Sequence, residues 1–203
     1  MSTKIRFAYD KATQALNFFA IQNKNPLNKM KALKILYFAD RFHFRRYGRL
    51  ISNDTYYAMK KGLVASSSRD ILELNGEYLS KEEIDYAQQF IKKAKDEYEY
   101  ISEKNYDDDV FSDSEIEALK YSWEKYKEYD WATLSNLTHL YPEWKKHEKD
   151  LDDDRRVAID VLDFLEDPEN ESLIDYKLTD EDKKIRKEDL EESALLDNCW
   201  RDR

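Results

Sequence analysis

A single cysteine, Cys199, leaves this chain without an internal disulfide or a thiolate metal cluster. Its three glycines, Gly48, Gly62 and Gly76, stand too far apart to build a phosphate-cradling loop or a GxGxxG dinucleotide turn. No run of 18 apolar residues occurs, and Met1-Ser2-Thr3-Lys4-Ile5-Arg6 lacks the apolar stretch of a signal peptide. The expectation is a cytoplasmic protein with no membrane partner. Ser66-Ser67-Ser68 has no G-x-S-x-G elbow around it and reads as a helix N-cap, while Cys199 lies in an acidic segment unsuited to a nucleophilic thiolate. Asp107-Asp108-Asp109 and Asp152-Asp153-Asp154 lack the ligand rhythm of a calcium loop and read as solvated runs. Neither enzymatic activity nor a cofactor is expected.

What the 203 residues do have is charge and aromatic bulk. Charged side chains make up 38% and aromatic ones 14%, with Tyr 15, Phe 9 and Trp 4 supplying large burial units that a disordered chain lacks. The net charge of −10 is unevenly spread. Residues 1–69 carry 14 basic against 3 acidic side chains, a surplus of +11, residues 70–148 carry −11, and residues 149–203 carry −10. Such asymmetry fits either a nucleic-acid face on the basic part or two parts that fold against each other and neutralise; the zero sum of residues 1–148 favours neutralisation, which leaves the excess to the last 55 residues, where it would repel phosphates and attract a basic protein.

Hydrophobic spacing predicts a mainly α fold: a compact helical domain around a buried central helix, with a small β-hairpin or extended excursion. Ile5, Ala8, Ala12, Ala15, Leu16, Phe19 and Ala20 outline a first helix that stops at Asn23-Lys24-Asn25-Pro26. The run from Met30 to Tyr47 is apolar on two faces and ends at Gly48, which marks it as the central helix. Leu50-Ile51, a Ser52-Asn53-Asp54 turn and Tyr56–Met59 read as the extended excursion, and Ser66–Leu74 as a short helix. Capping boxes predict helices from Ser80 with Glu83, reaching to about residue 103, and from Ser112 with Glu115, through Tyr126. Asp130 opens a helix that Pro142 stops, and Arg155–Glu166 reads as one more amphipathic helix. Residues 1–150 are thus expected to form the helical domain, and 151–203 an acidic helix with a loosely packed tail that can be removed after Leu151 without unfolding the rest.

Asp40 falls in the middle of the apolar stripe of Leu33, Leu36, Tyr37, Phe44 and Tyr47, where a carboxylate must find a cation or several donors. With His43 one turn on and His139 from a later segment it could form a metal or proton-shuttling site. The residue types favour a buried polar network instead, with Lys60 or Arg69 as counter-charge, because no spacing matches a metal motif. Arg41, Arg45, Arg46 and Arg49 cluster at one helix end, beyond what its dipole requires, either paired to the acidic helices or, with Lys60 and Lys61, forming a binding patch. Tyr37, Phe38, Trp123 and Tyr126 read as core, and His147 as a surface residue.

Two blocks carry a resemblance. Lys31-Ala32-Leu33-Lys34-Ile35-Leu36-Tyr37-Phe38-Ala39-Asp40-Arg41-Phe42-His43, followed by Tyr47-Gly48-Arg49 and Tyr56-Tyr57-Ala58-Met59-Lys60, resembles the opening of the Panacea domain of SocA-like antitoxins. Leu134-Ser135-Asn136-Leu137-Thr138-His139, with Pro142 and Trp144, resembles its closing segment. The likeness covers roughly residues 5–147, with Gly62-Leu63-Val64-Ala65 where many members have Gly-Pro-Val-Pro, and with the stretch 81–103 as an insertion. It implies a helical, non-enzymatic antitoxin that neutralises a cognate toxin protein by direct binding or by delivery to a protease. Its motif residues here are Tyr37, Asp40, Arg41, His43, Tyr47, Gly48, Tyr56, Met59, Lys60, Thr138, His139 and Trp144. The alternative is a nucleic-acid-binding regulator using Arg41, Arg45, Arg46, Arg49, Lys60 and Lys61 against phosphates. A metal-dependent enzyme stands third.

Overall fold

A computed structural model describes residues 5–152 and 155–201; Met1–Lys4, Asp153 and Asp154 of the sequence features above lie outside the described residues. The described chain is 54% helical, with eight helices and two three-stranded sheets. In order these are α1 (Tyr9–Gln22), β1 (Leu27–Asn28), α2 (Lys29–Tyr47), β2 (Tyr56–Met59), β3 (Gly62–Ala65), α3 (Ser66–Glu73), α4 (Lys81–Ala87), β4 (Ile91–Lys93), β5 (Glu99–Ser102), α5 (Asp113–Tyr126), α6 (Trp131–Thr138), α7 (Pro142–Lys145), β6 (Val157–Ala158) and α8 (Asp180–Arg201). Short 3-10 turns at Glu148–Asp150, Val161–Leu165 and Glu171–Leu173 join the last elements.

The helix α2 is the axis of the molecule. Asn28 caps it by accepting from the Lys31 amide at 3.1 Å, and Gly48 ends it at φ +76°, donating its amide to the Phe44 carbonyl. Every residue from Ala32 to Arg45 is buried, so the two apolar faces read from sequence are both covered. Aromatic rings fill the space around it: Phe38 stacks on Tyr126 at 4.1 Å and Phe42 on Tyr121 at 4.3 Å, both from α5, while Tyr37 meets Tyr56, Tyr141 and Phe164 edge-on. The capping box of α5 closes as expected, with the Ser112 amide on Glu115 at 2.8 Å.

Four expectations need correcting. The helix from Ser80 stops at Ala87 despite its capping box. The apolar residues beyond it keep helical spacing, yet β4 and β5 form a hairpin whose second strand pairs with β1, Leu27 opposite Tyr100. Tyr100 is buried and donates to the Leu16 carbonyl at 2.7 Å, whereas Tyr98, a core position on the helical reading, is 65% exposed. The partner of Tyr56–Met59 is Gly62–Ala65 rather than Leu50-Ile51, which wraps over Asp40 instead. The helix from Asp130 ends at Thr138, ahead of Pro142, which opens a new turn, α7, instead of closing the last one.

The fourth correction is the carboxy-terminal quarter. Arg155–Glu166 is not a helix: Val157 and Ala158 pair with Ala58 and Tyr57, and Asp160 caps a 3-10 turn that sends Phe164 into the core. The expected loose tail ends in the 22-residue α8, which buries Leu190 and Ala194 and whose Arg186 donates to the Arg45 and Arg46 carbonyls at the end of α2.

Gly62, at φ +91°, sets the hairpin turn, and a Cβ there would stand 2.2 Å from the Thr138 hydroxyl and 3.2 Å from the Ser135 carbonyl. Gly62→Ala is therefore expected to destabilise the protein by about 2 kcal/mol or more in urea unfolding. Gly76→Ala, where the nearest atom is 3.5 Å away, is expected to change stability by less than about 0.5 kcal/mol. Equal effects at the two sites would contradict this account of the turn.

Candidate functional site

The motif residues on α2 are separated by one turn or less, so they project at different heights into the packing around the helix. Asp40 is fully buried. Its carboxylate accepts from the Ile51 amide at 2.6 Å, the Ser52 amide at 3.1 Å, the Tyr56 hydroxyl at 2.7 Å and the Ser52 hydroxyl. Burial pushes its pKa up and these four donors pull it down. The counter-charge expected from Lys60 or Arg69 is absent from this shell: neutral donors from one short segment replace a cation. Lys60 and Lys61 are exposed on the hairpin turn, and Arg69 lies against Asp70 at 3.7 Å.

A second buried carboxylate escaped the sequence reading. Asp54 accepts from the Ser67 and Ser68 amides at 2.9 and 2.7 Å, so it caps α3 in place of the serines expected to do so. Burial raises its pKa to about 6. The backbone between Asp40 and Asp54 is thereby pinned at both ends, which orients β2 and its Tyr56.

The histidines are not brought together. His43 donates from Nδ1 to the Arg49 carbonyl, 2.7 Å away, and contacts the Ser114 hydroxyl through Nε2 at 3.0 Å. The carbonyl can only accept, so Nδ1 carries the proton and Nε2 accepts. Burial lowers the His43 pKa to about 4 and keeps the ring neutral. His139 instead stacks on Trp144 with centroids 3.9 Å apart, and the Trp144 indole donates to the Met59 carbonyl at 2.8 Å. The Nε2 of His139 has no hydrogen-bond partner among the described residues, and burial together with the Lys34 charge lowers its pKa. Thr138 bridges the Ser135 carbonyl at 2.7 Å and the Leu63 amide at 3.4 Å, locking α6 to β3. No group of three or more metal-ligating side chains occurs among the described residues.

The arginine cluster is mostly internal. Arg41 donates to Glu143 at 2.8 Å and to the Glu166 carbonyl at 2.7 Å, with its guanidinium 4.6 Å from the centre of the Tyr141 ring. Burial opposes its charge, but the Glu143 carboxylate together with Tyr37 and Tyr141 outweighs this and raises its pKa. Tyr37 donates to the same Glu143 oxygen at 2.6 Å, while Nη1 of Arg41 and Oε2 of Glu143 have no partner among the described residues. Arg45, also fully buried, reaches the Phe164, Glu166 and Tyr176 carbonyls at 2.8–3.1 Å and pairs with Asp167. Arg46 pairs with Glu117, which also accepts from the Tyr47 hydroxyl at 2.6 Å. A phosphate footprint of six cations is therefore not present as expected: two are buried and a third is paired to a carboxylate. Arg49, Lys60 and Lys61 remain exposed, Arg49 donating to the hydroxyls of Ser112 and Ser114.

Lys34 is the other cation that sequence reasoning passed over. It is fully buried, donates to the Lys61 and Leu63 carbonyls at 2.9 and 2.6 Å, and burial lowers its pKa from 10.5 to about 7. Its place between Leu33 and Ile35 on a helix apolar on two faces was the available signal. Glu143 lay inside the second block, between Pro142 and Trp144, but nothing in its spacing marks it as the counter-ion of Arg41.

Two outcomes follow. Asp40→Ala orphans two amides and a tyrosine hydroxyl and is expected to cost about 2–4 kcal/mol in chemical unfolding; an unchanged transition midpoint would contradict the network. For Lys34, the folded state releases its proton near 7 and the unfolded chain near 10.5, so the unfolded state binds the extra proton between them. Stability should accordingly rise with pH across that window, at up to about 1.4 kcal/mol per unit. Lys34→Met should remove that rise in unfolding curves at about pH 7 and about pH 9.5; equal slopes in both proteins would refute the assignment.

No curated protein and no solved structure matches the chain. Residues 33–145, more than half of it, match the family described as Antitoxin SocA-like, Panacea domain. The match begins on α2 and ends on α7, spanning Asp40 and its donors, the hairpin, α5, α6 and the Arg41–Glu143 pair. On that match the chain belongs to the SocA-like antitoxin family, through its Panacea domain.

Proposed function

We propose that this protein neutralises a cognate toxin by binding it as a folded partner, without catalytic turnover. Family membership supports a role of the toxin–antitoxin type in general, and the disposition of the motif residues supports the specific reading. The observation that carries it is that the chemistry-bearing groups of α2 are spent inside the fold. Asp40 is saturated by four donors, His43 is held neutral between Arg49 and Ser114, and Arg41 and Arg45 are covered. A site that turns over substrate needs such groups facing an accessible cleft. What remains available is surface, and surface acts by binding.

Handing the toxin to a protease is a variant of this reading in which the same complex forms first. Binding to operator DNA has less support, because Arg41, Arg45 and Arg46, half of the cations that would neutralise phosphates, are buried or paired and the chain is acidic overall.

Expression of the neighbouring reading frame alone should arrest growth, and co-expression with this chain should restore it, with the two proteins co-eluting at fixed stoichiometry. A steady toxin level during rescue indicates direct inhibition, whereas protease-dependent loss of the toxin indicates delivery. Growth arrest that persists in the presence of this chain, or a neighbour that is harmless, would contradict the proposal.

A further inference from the structure

Helix α8 lies outside the family match and has two apolar faces of different fate. Leu190 and Ala194, one turn apart, are each 2% exposed and dock it on the domain, aided by Arg186 on the carbonyls of α2. Asp189 packs against Gly48, where a Cβ would meet its carboxylate at 2.5 Å, so the docking is close. Leu195 and Leu196 face away, 50% and 56% exposed, with Ile185 at 39%. Two adjacent leucines on a helix already anchored by other residues gain nothing for the fold where they stand.

The surroundings of that face fix the chemistry of what would cover it. Residues 188–197 hold five carboxylates and no cation. Glu191 and Glu192, one turn before Leu195 and Leu196, are exposed and have no ion-pair partner among the described residues; Glu188 reaches Lys184 only at 4.0 Å. Apolar side chains bordered by Glu191 and Glu192, which no cation among the described residues pairs, are complementary to an apolar patch rimmed by Lys and Arg. A second copy of this chain is disfavoured, because a two-fold pairing would set the same carboxylates against each other.

We propose that the outer face of α8, centred on Leu195 and Leu196 and bordered by Glu188, Glu191 and Glu192, is the docking surface for a basic-rimmed apolar patch on the toxin. The inference rests on the antitoxin reading above and adds to it a place and a partner chemistry. The family domain then supplies the frame, and a segment outside the family match supplies partner choice.

The test uses the full chain and the protein encoded by the neighbouring frame, with affinity and association rate measured against salt. Leu195→Ser/Leu196→Ser, at exposed positions, should keep the wild-type melting temperature and weaken binding at least about tenfold. Glu191→Lys/Glu192→Lys should slow association and flatten its salt dependence. Wild-type affinity in the leucine variant, or a change only in the oligomeric state of the chain, would overturn the docking surface while leaving the antitoxin reading intact. Failure of the wild-type chain to bind the neighbour would overturn both.

Discussion

Arg45 sits at 0% exposure on the central helix, and a guanidinium cannot shed its charge, so its donors must be met inside the protein. They are met almost entirely by backbone carbonyls of residues 164–176, with Asp167 as the one carboxylate. Arg41 imposes the same condition one turn earlier, with Glu143 from α7 and the Glu166 carbonyl. Much of the architecture follows. The segment after α7 has to return along α2, its backbone is held in short 3-10 turns that turn carbonyls toward the arginines, and Phe164 enters the core between them. Two cations on one buried helix thus tie the last quarter of the chain to the family domain.

The elements legible from sequence are those whose signals are local and agree with their burial. The Ser112 capping box, the Gly48 stop and the two-faced apolar pattern of residues 30–47 each specify the structure found. Asp40 was legible as a buried carboxylate because its position in an apolar stripe admits few alternatives. Its partners were not, since the donors come from the backbone of Ile51 and Ser52, and backbone donors leave no mark on composition. The stretch 81–103 misleads because Ile84, Ala87, Ile91, Ala94, Tyr98 and Ile101 satisfy helical spacing, while the decisive interaction is pairing with Leu27–Asn28, some seventy residues away. The tail misleads for a different reason: its apolar residues are sparse, and what holds it is hydrogen bonding from arginines on another element. No periodicity reports such a contact.

The same arrangement bears on function. Burial of Lys29, Lys34, Arg41 and Arg45 takes four cations of the most basic third of the sequence into the interior, so the positive surplus read along the chain does not become a positive surface of the same size. The acidic third, by contrast, keeps many of its carboxylates outside, several of them on α8. The docking surface proposed on α8 belongs to that acidic segment, and Arg41 and Arg45 tie the chain leading to it onto the domain.

The claim that the carboxy-terminal segment is part of the fold is tested most directly by the thermal unfolding of a chain ending at Leu151, followed by circular dichroism. Removing residues 152–203 strips Arg45 of every hydrogen-bond acceptor named above and leaves Arg41 with Glu143 alone. Uncompensated buried charge of this kind costs about 3–5 kcal/mol, a large share of the stability of a domain this size. The account predicts that the truncated chain loses its cooperative transition or melts far below the full-length protein. A cooperative transition at the full-length temperature would contradict it, and would show that the helical domain closes around its arginines unaided.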